Sequence, residues 1–223
     1  LLIQSAMPSA ILTYLIASEM PGTPAYQLKA MGLISNLSAS ASPNMYGNYG
    51  SFSINIDLTD AGMQNREAIV AVVMQYIDLI REQGVDEKYF GEIQTSLNNR
   101  FRFLQKSDEF GYVSNLAAAM QEVPAKFAVS SPYYYESFDA EAIQEVLAQL
   151  TPERVRIWYI SKNEPSDSQL HFYDGKYQVD TISAEEIASW QQPAQIALNL
   201  PAVNTLLPEE FALKPQTPQE KPE

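Results

Sequence analysis

Ser51-Phe52-Ser53-Ile54-Asn55-Ile56-Asp57-Leu58 places an apolar residue at every second position. Side chains alternate faces along a strand, so this octet predicts a strand with one face on a core and Ser53, Asn55 and Asp57 toward water. Thr59, the next residue, is of a type that caps helix N-termini. Beyond it Ile69, Val73, Tyr76, Ile77 and Ile80 recur at helical spacing, with Val70, Val72 and Leu79 widening the stripe, as far as Gly84. The pattern predicts one helix over residues 60–83. A strand handing over directly to a long amphipathic helix argues that α and β elements share one core.

Upstream, residues 33–40 form a second strand candidate. The stretch between the two strands holds Pro43-Asn44 and Tyr46-Gly47-Asn48-Tyr49-Gly50. That turn-rich connection predicts an antiparallel pair. Nearer the start, Ser9 is a candidate cap for a helix carrying Ile11, Leu12, Leu15 and Ile16, which Pro21-Gly22 ends. Thr23-Pro24 then opens a short helix, with Pro24 at the first position where its missing N–H is harmless, and Gly32 closes it.

Downstream, Asp86 opens a helix with Phe90, Ile93, Leu97, Phe101 and Leu104 on its apolar side. Another helix is predicted over 112–121, and a further one begins at Asp139 or Ser137 and runs to Leu150. Arg154-Val155-Arg156-Ile157-Trp158-Tyr159-Ile160-Ser161 reads as a strong strand, with short strands expected near 169–173 and 177–180. Ser183 caps a helix through Trp190. The pattern predicts an α+β fold: a mixed or antiparallel sheet with helices packed on one face. The sheet is expected to lack its first edge strand, because the chain starts directly in a helix. One domain is expected over 1–200, with an extended C-terminal segment and linker over 201–223.

The 223 residues contain one histidine, His171, and no cysteine, and the net charge is −13. A catalytic zinc site needs about three His, Cys or acidic ligands, and a Ser-His-Asp or Cys-His relay needs an imidazole beside its nucleophile. The lone imidazole, His171, sits in Leu170-His171-Phe172-Tyr173 where a strand enters a turn, and it is read as an ordinary strand residue. No His-x-x-Glu-His, Gly-x-Ser-x-Gly or phosphate-binding glycine loop occurs. Asn55, Asp57 and Asp60 lack calcium-loop spacing, and Glu185-Glu186 occupies a helix first turn where acids suit the dipole. Tyr133-Tyr134-Tyr135 and Phe138 are read as loop-to-helix packing. The acidity opposes nucleic-acid phosphates and anionic membranes. From the residues alone, catalytic and metal-binding residues are none and no cofactor is expected. The chain opens on Leu1 without an initiator Met, which reads as a piece of something longer.

Three stretches narrow this. Tyr14-Leu15-Ile16-Ala17-Ser18-Glu19-Met20-Pro21-Gly22-Thr23 is followed by Leu28-Lys29-Ala30-Met31-Gly32-Leu33-Ile34. Then Ile54-Asn55-Ile56-Asp57-Leu58-Thr59-Asp60-Ala61-Gly62 runs into Tyr76-Ile77-Asp78-Leu79-Ile80-Arg81-Glu82-Gln83-Gly84. Later come Val155-Arg156-Ile157-Trp158-Tyr159-Ile160-Ser161 and Tyr177-Gln178-Val179-Asp180-Thr181-Ile182-Ser183. In order and spacing these resemble, over nearly the whole chain, the second domain of the pitrilysin and insulin-degrading-enzyme (insulinase) family of zinc metallopeptidases. The bacterial, pitrilysin-like branch is the nearer.

The resemblance implies a four-domain metalloendopeptidase enclosing a chamber. Its zinc and His-x-x-Glu-His motif lie in a first domain that this chain does not include. The second domain is silent: it supports the first and walls the chamber. In the insulin-degrading branch it also carries an exosite for the substrate's N-terminus. Carried over by motif, the exosite carboxylate falls on Glu19, a neighbouring main-chain contact on Ala17, and the strand contacts on Leu37, Ser38 and Ala39. Ala17 and Ala39 stand where glycines are usual, and Ser18 replaces a histidine. The implied partners are the catalytic first domain and C-terminal half of the same protein, together with peptide substrates. An exposed sheet edge would also permit self-association. The implied address is periplasmic. The alternative is a structural or assembly module with no peptide binding of its own.

Overall fold

The computed structural model of the chain describes residues 2–45, 48–192, 196–208 and 210–212. It opens with α1 (Leu2–Ala17). The expected cap at Ser9 is not one: the helix runs through Pro8, and Ser9 is buried. Pro8 removes one main-chain hydrogen bond. Burial of Met7 beside Ile11, Leu12, Leu15 and Ile16 works against that loss and keeps the upstream turn helical.

Thr23 and Pro24 then begin α2 (Pro24–Ala30) as the sequence predicts, and Gly32, at φ +71°, turns the chain into β1 (Ile34–Met45). β2 (Tyr49–Leu58) returns antiparallel, with Leu37 opposite Ile56, Ala39 opposite Ile54 and Ala41 opposite Phe52. Tyr46 and Gly47 of the predicted turn lie outside the described residues.

The register holds one irregularity that matters for function. Ile34 opposes Leu58 and Asn36 opposes Asp57, so two steps on β1 match one on β2 and Ser35 forms a bulge. The extra residue shifts the alternation. Ile34 and Leu37, three residues apart, therefore both reach the core, at 3% and 2% exposure.

Thr59 caps as predicted, its Oγ1 accepting from the Gly62 N–H at 3.0 Å. The long helix, however, is two: α3 (Asp60–Gln64) and α4 (Arg66–Gln83). At Asn65 the main-chain N–H donates to Gly62 rather than four residues back, and its side-chain Nδ2 takes the Ala61 carbonyl at 2.8 Å. The side chain thus satisfies a group the helix would otherwise use, and the helix breaks there.

Asp86 caps α5 (Glu87–Arg102), and Asp139, not Ser137, caps α7 (Ala140–Leu147). Between them α6 (Glu109–Glu122) starts three residues before the predicted 112–121. The predicted strand over 154–161 is not one. Val155, Ile157 and Tyr159 are half-buried while Arg156, Trp158 and Ile160 are exposed, so the alternation is present. What is missing is a ladder partner among the described residues. The segment is held instead by the Arg66 guanidinium, 4.2 Å above the Tyr159 ring. The two later strands shrink to β3 (Ser168–Gln169) and β4 (Lys176–Tyr177), before Ser183 caps α8 (Ala184–Trp190).

One cluster joins these parts. Met7, Ile11, Leu12, Leu15 and Ile16 of α1 meet Leu28 of α2, Ile69 through Ile80 of α4, Tyr89 and Phe90 of α5, and Ile143 and Leu147 of α7. Leu37 and Ala39 of β1 and Phe52, Ile54 and Ile56 of β2 face this cluster, whereas Ser53, Asn55 and Asp57 face out. The architecture is α+β, an antiparallel hairpin covered by helices on one face.

Candidate peptide-binding site

The end of α1 is where candidate residues begin. Its last carbonyls lack helical partners, and Tyr76 on α4 supplies one, donating from its phenol to the Leu15 carbonyl at 3.2 Å. Burial pushes the Tyr76 phenol pKa up. Two residues beyond Leu15, Ala17 closes the helix, and the chain enters a tight loop over 18–23. Thr23, fully buried, holds that loop closed: its Oγ1 lies 2.6 Å from the Ser18 carbonyl and 2.8 Å from that of Met20, positioned to donate to either.

Glu19 projects from this loop with its side chain 60% exposed, and it accepts from Lys29 Nζ at 2.7 Å. An exposed pair of this kind is worth about 0–1 kcal/mol. A ligand ammonium can therefore replace Lys29 at small cost. Sequence reasoning missed Lys29; the signal that could have found it is a cation in the last turn of the helix that follows an acid-bearing loop.

The strand candidates divide by face. Leu37 is buried and Ala39 packs on the core, so each offers a ligand only its main chain. Ser38, between them, lies opposite Asn55 on the outward side. Among the described residues β1 has β2 as its only ladder partner. The bulge at Ser35 decides which of these residues face inward. The structure brings Glu19 to Lys29. The helices on either side of the loop share one core with the strand, through Leu15, Ile16, Leu28 and Leu37.

Sequence reasoning also missed a support for the loop. The Asn199 N–H donates to the Gly22 carbonyl at 2.9 Å, and Gln27 Nε2 donates to the Ala197 carbonyl at 3.3 Å. Gly22 sits at φ +92°, and a Cβ there would lie 3.0 Å from Asn199 Cβ. Further along the same segment, Tyr89 donates to the Pro201 carbonyl at 2.7 Å, and the Asn204 N–H donates to Glu92 Oε1 at 2.9 Å. Glu92, 7% exposed, also accepts from the Tyr14 phenol at 2.5 Å. Burial, and then the hydrogen bond to Glu92, push the Tyr14 phenol pKa up; burial does the same for Tyr89. Of the expected linker over 201–223, Pro201 is thus buried and Asn204 bonded, while 213–223 lie outside the described residues.

Among the described residues no group of three or more His, Cys, Asp or Glu side chains is placed to share an ion. His171 is exposed, its ring edge-on to Phe172 at 4.5 Å. No described helix is long and apolar enough to cross a membrane.

A family model described as the middle or third domain of peptidase M16 matches residues 101–223, and one described as the peptidase M16 inactive domain matches residues 3–97. The chain belongs to the M16 peptidase family. Among its relatives, Protease 3 of Escherichia coli (strain K12) is 40% identical over 204 residues, which is 91% of this chain and 21% of that protein. The insulin-degrading enzyme of Homo sapiens is 31% identical over 211 residues, 93% of this chain and 21% of that protein. The crystal structure of pitrilysin superimposes with a TM-score of 0.89 at 39% identity, covering 95% of this chain and 22% of that one. The chain thus spans about a fifth of the length of the relatives it matches. The family read from its motifs is the family it belongs to, and the α+β fold is that of pitrilysin over the matched length.

Proposed function

We propose that this chain is a non-catalytic part of a zinc-dependent metalloendopeptidase, where it forms chamber wall and anchors the N-terminus of a substrate peptide. The zinc and its ligands belong, on this reading, to another domain of the larger protein, which works in the periplasm. The observation that carries the anchoring is Glu19: an accessible carboxylate on a loop fixed by buried Thr23, engaged among the described residues by a surface lysine. β1 supplies the second element. A strand edge without a partner pairs extended peptides through main-chain hydrogen bonds, and a carboxylate recognises the terminal ammonium through a charge-assisted one.

The test is to titrate the chain with matched short peptides bearing free or acetylated N-termini. The free amine should bind more tightly, and Glu19→Gln should abolish the difference while leaving the acetylated peptide unchanged. Equal binding of the two peptides to the unmodified chain would refute anchoring. The Lys29–Glu19 pair is the observation that favours the other reading, a structural or assembly module, because it already neutralises the carboxylate. Absence of binding by both peptides is the outcome that reading requires.

A further inference from the structure

The extended segment over 197–204 crosses from one matched part of the chain to the other. It lies in the part matched by the middle-domain model, yet each hydrogen bond described above joins it to a residue within 3–97. Four main-chain groups fix it: the Ala197 carbonyl on Gln27, the Asn199 N–H on Gly22, the Pro201 carbonyl on Tyr89, and the Asn204 N–H on Glu92. Leu198 and Leu200 press on the core between those points, and Pro201 is itself buried. One end of this strap touches the loop that carries Glu19; the other is held by a buried carboxylate and phenol on α5.

We infer that the strap over 197–204 positions the Glu19 loop, and that Tyr89 and Glu92 are positioning residues for amine recognition that act through that strap. The inference rests on the anchoring reading above. The physical argument is that the loop contains a left-handed Gly22 whose carbonyl is bonded from outside the loop by Asn199 alone among the described residues. Asn199 in turn has its place set by the Gln27–Ala197 bond on one side and by the bonds at Pro201 and Asn204 on the other. Loosening the far end frees Asn199, and the loop then samples geometries in which the Glu19 carboxylate no longer meets an ammonium directed along β1. A charge-assisted hydrogen bond depends steeply on such placement.

The experiment compares the chain with its Tyr89→Phe, Glu92→Gln and Glu19→Gln variants by two measurements. The first is amide hydrogen exchange at Thr23 and Asn199, with the Leu12 amide in the α1 core reporting that the variant is folded. The second is the affinity ratio of free to acetylated peptide. Tyr89→Phe should speed exchange at Thr23 and Asn199 about fivefold, the scale of one lost hydrogen bond, with Leu12 unchanged. It should also lower the affinity ratio about two- to fivefold without weakening the acetylated peptide. Glu92→Gln should act in the same direction.

Unchanged exchange at Thr23 and Asn199 in both variants overturns the strap, whatever the peptides do. Faster exchange with an unaltered ratio, in a protein where Glu19→Gln removes the preference, overturns positioning and leaves anchoring intact. A Glu19→Gln variant that keeps the full preference overturns anchoring itself, and the strap's role in it.

Discussion

The Tyr76 phenol donates to the Leu15 carbonyl across 3.2 Å, and both side chains are fully buried. The bond ties the last turn of α1 to the middle of α4 and so fixes the point from which Ala17 and the Glu19 loop depart. Tyr76→Phe keeps the ring but leaves a buried carbonyl unpaired. It should destabilise the chain by about 1–3 kcal/mol, seen as a lower urea midpoint with an unchanged slope. An unaltered midpoint would mean that water or the main chain replaces the phenol.

Stability should fall at alkaline pH. Tyr14, Tyr76 and Tyr89 all have phenols pushed above the ordinary value, chiefly by burial. The unfolded chain releases these protons near about pH 10 while the folded chain keeps them. Their contribution is therefore complete below about pH 10 and is lost as pH rises toward the folded-state values. Denaturation midpoints measured from about pH 8 to 11 should hold and then drop, less steeply in Tyr76→Phe. A midpoint that stays level across that range would contradict it.

Two glycines should respond in opposite directions. A Cβ on Gly62 would lie 1.9 Å from the Leu33 carbonyl oxygen, at the junction where β2 enters α3. Gly62→Ala must move main chain and should cost about 3 kcal/mol or more. Gly91, inside α5, has nothing within 4 Å of its Cβ position. Gly91→Ala should stabilise by about 0.5–1 kcal/mol through helix propensity. Thermal melts of the two variants beside the unmodified chain settle the comparison.

Removing the competitor at the anchor should help the ligand. Lys29→Ala frees Glu19 at a stability change within about 0.5 kcal/mol, because the pair is exposed. Peptides with a free N-terminus should then bind about two- to fivefold more tightly, and acetylated ones equally well. Isothermal titration would read this directly; weaker binding of the free amine would show Lys29 to be part of the site.

Local chemistry was legible in the sequence. Thr59, Asp86, Asp139 and Ser183 cap helices because each side-chain oxygen accepts from an N–H two or three residues ahead, a relation contained within a few residues. The alternation of Phe52, Ile54, Ile56 and Leu58 fixed β2 in the same way. The bulge at Ser35 was not legible, since it is a property of two strands in register and leaves no mark on either alone. Nor was the fate of residues 154–161, where the alternation is present and the partner strand, among the described residues, is not. Asn65 carried a weak signal, a helix-unfriendly residue in an otherwise periodic run.

By itself, then, the sequence determined the α+β class, the β1–β2 hairpin and the capped helices, and its motifs pointed to the peptidase family and to Glu19. Its one histidine, absent cysteine and lack of a His-x-x-Glu-His motif gave no sign of a zinc or thiol centre of its own. Only the tertiary structure decided that Glu19 faces Lys29, that Leu37 faces inward, and that the loop between them is held from residues 197–204. Glu92 and Asn204 are 112 residues apart, as are Tyr89 and Pro201. Capping and alternation act over a few residues and leave a local pattern. A hydrogen bond between distant main-chain and side-chain groups is set by the packing of the whole core, and no short stretch of sequence encodes it.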